Sequence, residues 1–271
     1  MSHTVTSRDG TTIAYTSTGK GPALIVVTGA TAFRAFDPNL QVLADLLAND
    51  FTVINYDRRG RGESSDAGPY DPQSAPAREI EDIAALIEAA GGRASLLGFS
   101  SGSVLALEAT ASGLPVDRLV MYEPPFVLPG QPFPPPASDY VETLTRFGAG
   151  GDKDAAPAYF MQSLGMPPEA IEGAKQSPIW PLMRSIGPTI AYDGQVMFDA
   201  YYTAGKFPAR WQNVRQPVLI LNGDASFPFM PSAADAVAAE LPNATRKTLA
   251  GQDHGPKPGV MAPVLREFLG G

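Results

Sequence analysis

The stretch Ala94-Ser95-Leu96-Leu97-Gly98-Phe99-Ser100-Ser101-Gly102-Ser103-Val104 joins an apolar run to a segment of helical periodicity that continues to Ala111. A serine placed between such a run and such a helix occupies a sharp turn. Residues two positions to either side must be small, or strand and helix cannot approach. Gly98 and Gly102 meet that need for Ser100, which the pattern G-x-S-x-G predicts to be an exposed nucleophile. Ser101 does not qualify, because its corresponding neighbours are Phe99 and Ser103. In a chain with 27 glycines the bare pattern arises by chance about once in six sequences, so the strand-turn-helix setting carries the inference.

Working outward, Ala23 to Val27, Phe51 to Ile54, Leu119 to Tyr122 and Val218 to Leu221 are further apolar runs without polar alternation. Such runs are strands buried on both faces, as in a parallel sheet. Leu40 to Leu47, Ile80 to Ala89, Val104 to Ala111 and Ala233 to Leu241 show helical spacing between them. The alternation predicts an α/β fold with a mostly parallel central sheet flanked by helices. Ahead of it, Thr4-Val5-Thr6, a turn at Arg8-Asp9-Gly10, and Thr12-Ile13-Ala14-Tyr15 predict a hairpin at the sheet edge.

The succession breaks between Phe126 and Asn213. Thirteen of the 27 prolines fall between Pro124 and Pro188, which forbids a long helix or a central strand there. We expect a core domain of residues 1–125 and 214–271 and a helical cap insertion of residues 126–213. Aromatic and thioether side chains in that insertion, among them Met161, Trp180, Met183, Met197 and Trp211, suggest a cover over an apolar pocket, although most such groups serve packing. The run Pro132-Phe133-Pro134-Pro135-Pro136 reads as a stiff connector rather than a polyproline ligand.

With 271 residues, 44% of them hydrophobic, the chain has material for one large core. A formal net charge of -8 without a basic stripe argues against a nucleic-acid partner. The absence of cysteine excludes disulfides, thiolate chemistry and cysteine-bound metal. Met1-Ser2-His3-Thr4 opens polar, and no apolar run is long enough to span a bilayer. The expectation is a soluble, cytoplasmic protein with no membrane partner, its oligomeric state open.

A serine nucleophile needs a base, usually histidine. Of the two histidines, His3 lies at the N-terminus, whereas His254 follows the strand-like Ala244 to Leu249 and precedes the helical Val260 to Leu269. His254 is the candidate base.

Taken in order, the hairpin, Asn55-Tyr56-Asp57-Arg58-Arg59-Gly60-Arg61-Gly62-Glu63-Ser64, the serine turn, the insertion, Asn222-Gly223-Asp224 and Gly251-Gln252-Asp253-His254 resemble the α/β-hydrolase superfamily, in its capped serine-hydrolase branch. The resemblance covers nearly the whole chain and implies the order nucleophile, acid, histidine. It assigns the arginine-rich Asp57–Ser64 segment to a tight structural turn rather than to anion binding. Gly60-Arg61-Gly62 is not a dinucleotide fingerprint, since Ser65 stands where the third glycine would be.

Two departures stand out. Relatives often carry His-Gly after the first long strand, where this chain has Thr28-Gly29. An oxyanion hole needs only backbone N–H groups, so Ala30 and Ser101 can still supply it. The family acid usually stands three residues beyond the glycine of Asn222-Gly223-Asp224, and that position holds Ser226. Asp253, adjacent to His254, is poorly placed to meet the ring. The choice lies between Glu123, Asp224 and no acid. We favour Glu123 at the end of the strand after the serine helix, a place used by a branch of the haloalkane dehalogenases. The following Pro124-Pro125 should hold its backbone extended.

The catalytic set expected is therefore Ser100, His254 and Glu123, acting on an ester-like bond of a small or medium hydrophobic substrate. No metal or organic cofactor is implied. The alternative is a non-hydrolytic ligand-binding member, or a repurposed lyase, with a degenerate triad.

Overall fold

The computed structural model describes residues 2–133, 136–202 and 206–271; Pro134 and Pro135 of the proline run lie outside the described residues. Strands β1 (Ser2–Thr6), β2 (Thr12–Gly19) and β3 (Ala23–Val27) are followed by helix α1 (Asn39–Leu47), β4 (Thr52–Tyr56), α2 (Ala75–Ala89), β5 (Ala94–Phe99), α3 (Ser101–Ala111) and β6 (Val116–Tyr122). The segment between β6 and β7 then contributes α4 (Tyr140–Ala149), α5 (Ala155–Ser163), α6 (Pro168–Lys175), α7 (Trp180–Ser185) and α8 (Gly187–Met197). The chain closes with β7 (Val218–Gly223), α9 (Met230–Glu240), β8 (Ala244–Leu249) and α10 (Pro258–Leu269).

Eight strands form one sheet in the order β1-β2-β4-β3-β5-β6-β7-β8. The two pairings made by β2 are antiparallel and every other pairing is parallel. The hairpin expected at the edge is β1–β2, its turn closed by the Ser7 N–H on Thr11 O and by Gly10 at a φ of 90°.

Alternation along buried strands divides the core into two layers. Ile25, Val27, Ile54, Leu96, Met121 and Ile220 face α2, α3 and α9, while Leu24, Val26, Val53, Leu97, Val120 and Leu219 face α1 and α10. This is the two-faced burial that apolar runs without alternation require. α3 is buried on nearly all sides, hence its nearly uniform small and apolar composition.

Helices α2, α9 and α10 begin earlier than their apolar periodicity indicates. Each carries proline in its first turn, where the missing N–H has no intrahelical partner and the fixed φ suits the helix. The prolines that read as breakers mark starts, and the same holds for α6, α7 and α8. The inserted helices are short, and they pack through Leu144, Ala156, Ile190 and Ala191, and through Trp180, Met183 and Ile186 against Phe33. Trp211 instead joins the main core. Among the described residues no helix is long and apolar enough to cross a membrane.

β4 and β5 lie on opposite sides of β3. The winding thus reverses at β3, and the loops leaving the carboxyl ends of β3 and β5 diverge there. Open α/β sheets place their ligand sites in such a crevice.

Candidate active site

Ser100 sits in that crevice, between β5 and α3, with φ 54° and ψ −131°. A non-glycine residue held there is strained. The neighbours show why the turn must be glycine-flanked: a Cβ on Gly98 would collide with Ser103 Cα, and one on Gly102 would collide with the carbonyl oxygens of Val27 and Thr28. The turn is pinned by the Ser100 N–H on Tyr122 O at 2.8 Å. Ser101 is already in the helix, and its buried hydroxyl donates to Asp193 Oδ1 at 2.6 Å.

Glu123 follows β6 with a carboxylate excluded from solvent. Its N–H donates to Leu221 O at 2.9 Å. Oε1 accepts from the Gly223 N–H at 2.9 Å, and Oε2 accepts from Ser226 Oγ at 2.7 Å and lies 2.6 Å from His254 Nδ1. With the ring proton on Nδ1 this contact is a hydrogen bond donated to the carboxylate, and Nε2 is the basic nitrogen. Phe227 meets the imidazole edge-on, with ring centroids 5.7 Å apart.

One sequence expectation is corrected here. Glu123 is not extended before Pro124; its φ is 51°. β6 has paired with β7 up to Tyr122 and Leu221, and the left-handed residue that follows turns the side chain towards Gly223 and His254.

The other two carboxylates bond loop amides instead, Asp224 across to the loop after β8 and Asp253 within its own loop. Asp224 is exposed and its Oδ1 accepts from the Gly251 N–H at 2.6 Å. Asp253 Oδ1 accepts from the Gly255 N–H at 2.9 Å, and its carbonyl takes the Tyr122 hydroxyl.

Ser100 and His254 line one cavity of about 1000 Å³ together with Ala30 and Ser101. Tyr140, Val141, Phe160, Leu164 and Met197 of the inserted helices form its other wall, and no lysine or arginine lines it among the described residues. Groups of acidic or histidine side chains able to hold a metal ion are likewise absent among the described residues.

The three arginines of the turn after β4 are buried and satisfied internally, which is the structural role read for that segment. Arg59 pairs with Asp82 at 2.7 Å and Asp9 at 2.8 Å. Arg58 grips Glu79 at 2.5 and 2.8 Å, and both Arg58 and Arg61 bond Asp193 of α8. Burial alone would raise the Asp193 carboxyl, but the two guanidiniums hold it below its ordinary range. Asp193 carries no motif, and sequence reasoning misses it. Ser226 stands out in the sequence only as the place of a missing acid, which is also the signal that could have assigned it a role beside a relocated one.

Comparison with known proteins finds hydrolases of the same fold. Over 116 residues the chain is 34% identical to a pyrrolizixenacetamide deacetylase of Xenorhabdus hominickii, a match spanning 40% of this chain and 40% of that relative. A solved alpha/beta hydrolase of Sphaerobacter thermophilus is 42% identical, with a TM-score of 0.85 over 98% of this chain and 100% of its own. An esterase of Rhodococcus sp. shares the fold at 24% identity, with a TM-score of 0.66 over 99% of this chain and 98% of its own. The profile of the alpha/beta hydrolase family matches residues 24–263, and the chain belongs to that family.

Proposed function

We propose that the protein is a serine hydrolase that cleaves an ester-like bond of a small or medium hydrophobic substrate through an acyl-enzyme intermediate. The observation that carries this reading is the buried Glu123 carboxylate 2.6 Å from His254 Nδ1, at a cavity that Ser100 shares with His254. His254 Nε2 takes the Ser100 proton as Oγ attacks the carbonyl carbon. Glu123 stabilises the resulting imidazolium, and the N–H groups of Ala30 and Ser101 hold the oxyanion at the N-terminus of α3. The imidazolium then protonates the leaving group, and water, deprotonated by His254, releases the acyl group.

The apolar cavity wall without a cationic side chain favours a neutral substrate over a carboxylate or phosphate. The segment 126–213 acts as its cap. Among the relatives, an esterase shares the fold, and a deacetylase shares part of the sequence; both names are compatible with acyl transfer to serine. The contact between buried Glu123 and partly exposed His254 counts against the ligand-binding alternative, whose premise is a missing acid.

The test is a fluorophosphonate probe together with a short p-nitrophenyl ester. Wild-type protein should be labelled on Ser100 and should hydrolyse the ester, and Ser100→Ala should do neither. Folded wild-type protein that resists labelling would overturn the reading.

A further inference from the structure

Both N–H groups assigned to the oxyanion hole belong to peptide units whose carbonyl oxygens are clamped from behind. A trans peptide is planar, so its N–H points opposite to its C=O, and fixing one fixes the other. The Ala30 N–H shares its peptide with the Gly29 carbonyl, which accepts from Arg61 Nη1 at 2.7 Å. The Ser101 N–H shares its peptide with the Ser100 carbonyl, which accepts from the Ser103 N–H at 2.9 Å and from Ser103 Oγ at 2.5 Å. One residue upstream of Gly29, the Thr28 carbonyl accepts from Arg58 Nη1 at 3.1 Å.

Arg61 is in turn held by α8. Its Nε donates to Thr189 Oγ1 at 3.0 Å, and its Nη2 bonds Asp193 Oδ2. The other oxygen of Asp193 accepts from Arg58 at 2.5 Å and from the hydroxyl of Ser101 at 2.6 Å. One carboxylate of the inserted helices therefore touches both sides of the hole: the β3 loop through Arg61, and the start of α3 through Ser101. All of these groups are buried.

We propose that Arg61, fixed by Asp193, is a positioning residue that aims and polarises the Ala30 N–H, so that docking of α8 and assembly of the oxyanion hole are one event. This rests on the hydrolase reading above. A cation bonded to a carbonyl oxygen draws electron density through the amide and makes its N–H a stronger donor. The charges suit that role, since Arg58 and Arg61 balance Asp193 and Glu79 and the cluster opposes a developing oxyanion with no net negative field. Guanidinium geometry is required, because one planar fork reaches Gly29, Thr189 and Asp193 at once, whereas an ammonium is a point charge on a flexible stem.

The experiment compares two inhibitors of one acyl scaffold: a trifluoromethyl ketone, which Ser100 converts to an oxyanion-bearing adduct, and the matching secondary alcohol, which it cannot attack. In Arg61→Met, kcat on a p-nitrophenyl ester should fall about 10²-fold with KM within about threefold. The ketone should weaken in proportion to the loss in kcat/KM, and the alcohol by less than about threefold. Arg61→Lys should recover less than a tenth of the activity. Should Arg61→Met fail to fold, Asp193→Asn and Thr189→Val carry the same comparison, each with an expected loss of about tenfold in kcat. Equal weakening of ketone and alcohol, or wild-type kcat in a folded Arg61→Met, would show a cluster that only holds the fold together. Wild-type protein without Ser100 labelling would remove the hydrolase reading instead, so the two failures are distinct.

Discussion

The ends of β6 and β7 invite comparison, because the strands are parallel neighbours in register from Leu119 and Val218 to Tyr122 and Leu221, and each carries an acid just beyond its last paired residue. Glu123 is buried and takes bonds from Gly223, Ser226 and His254. Asp224 is exposed and is spent on one loop amide, Gly251. A carboxylate removed from water is costly unless it is fully bonded, and only the β6 site supplies that many partners. The site Ser226 occupies has not been vacated; its hydroxyl now supports an acid that comes from the adjacent strand. In the proposed mechanism, two strand ends thus divide a role that the family resemblance gives to one.

The largest effect that can break this comparison is Glu123→Gln. The amide cannot stabilise an imidazolium, and its NH2 face disfavours the Nδ1–H tautomer. We expect kcat to fall about 10³- to 10⁴-fold, with KM nearly unchanged. Steady-state kinetics and the rate of fluorophosphonate labelling measure it, and retention of more than about a tenth of kcat would remove Glu123 from the mechanism.

Next in size is the transplant. Glu123→Ala with Ser226→Asp moves the acid to the position that the resemblance indicates. If the two strand ends are equivalent in reach to His254, the double variant should exceed Glu123→Ala in kcat by about tenfold or more. A double variant no better than Glu123→Ala would mean that the β7 loop cannot aim a carboxylate at Nδ1, and the comparison would then be one of unequal sites.

How much of this is legible in the sequence follows from the range of each interaction. The sheet, its edge hairpin and the turn at Ser100 are written in contiguous residues, through apolar runs and glycines that the local packing demands. Helix starts read late because proline looks like a breaker where it serves the first turn, as at Pro76, Pro231 and Pro258. The resemblance favours Glu123 over Asp224 or no acid, but does not reveal the left-handed backbone that aims it, since the rule for residues before proline points to extended conformations. The pairs Arg58–Asp193 and Arg61–Asp193 span 135 and 132 residues, and no local pattern encodes such a partnership. What sequence shows is an excess of arginines in one turn; their partners appear only when the inserted helices are in place.

A smaller effect tests the division of labour itself. Ser226→Ala removes the hydroxyl bond to Glu123 Oε2 while leaving the Gly223 bond to Oε1 and the His254 contact at Oε2. A net loss of about 1 kcal/mol per hydrogen bond corresponds to a reduction in kcat of roughly fivefold. No change at all would mean that the hydroxyl is a passive neighbour.

The smallest expected effect belongs to Asp224→Asn, and it sharpens the comparison from the other side. Asn keeps an oxygen for the Gly251 N–H, so only the charge assistance of one exposed bond is lost. The turnover number should stay within about twofold of wild type, and the thermal midpoint should drop by about 1–2 °C. Kinetics and melting should therefore separate: Asp224 ties the β7 and β8 loops together, whereas Glu123 acts on the imidazole in the proposed mechanism. A tenfold loss in kcat from Asp224→Asn without loss of stability would transfer the acid's role to the β7 end and reverse the assignment.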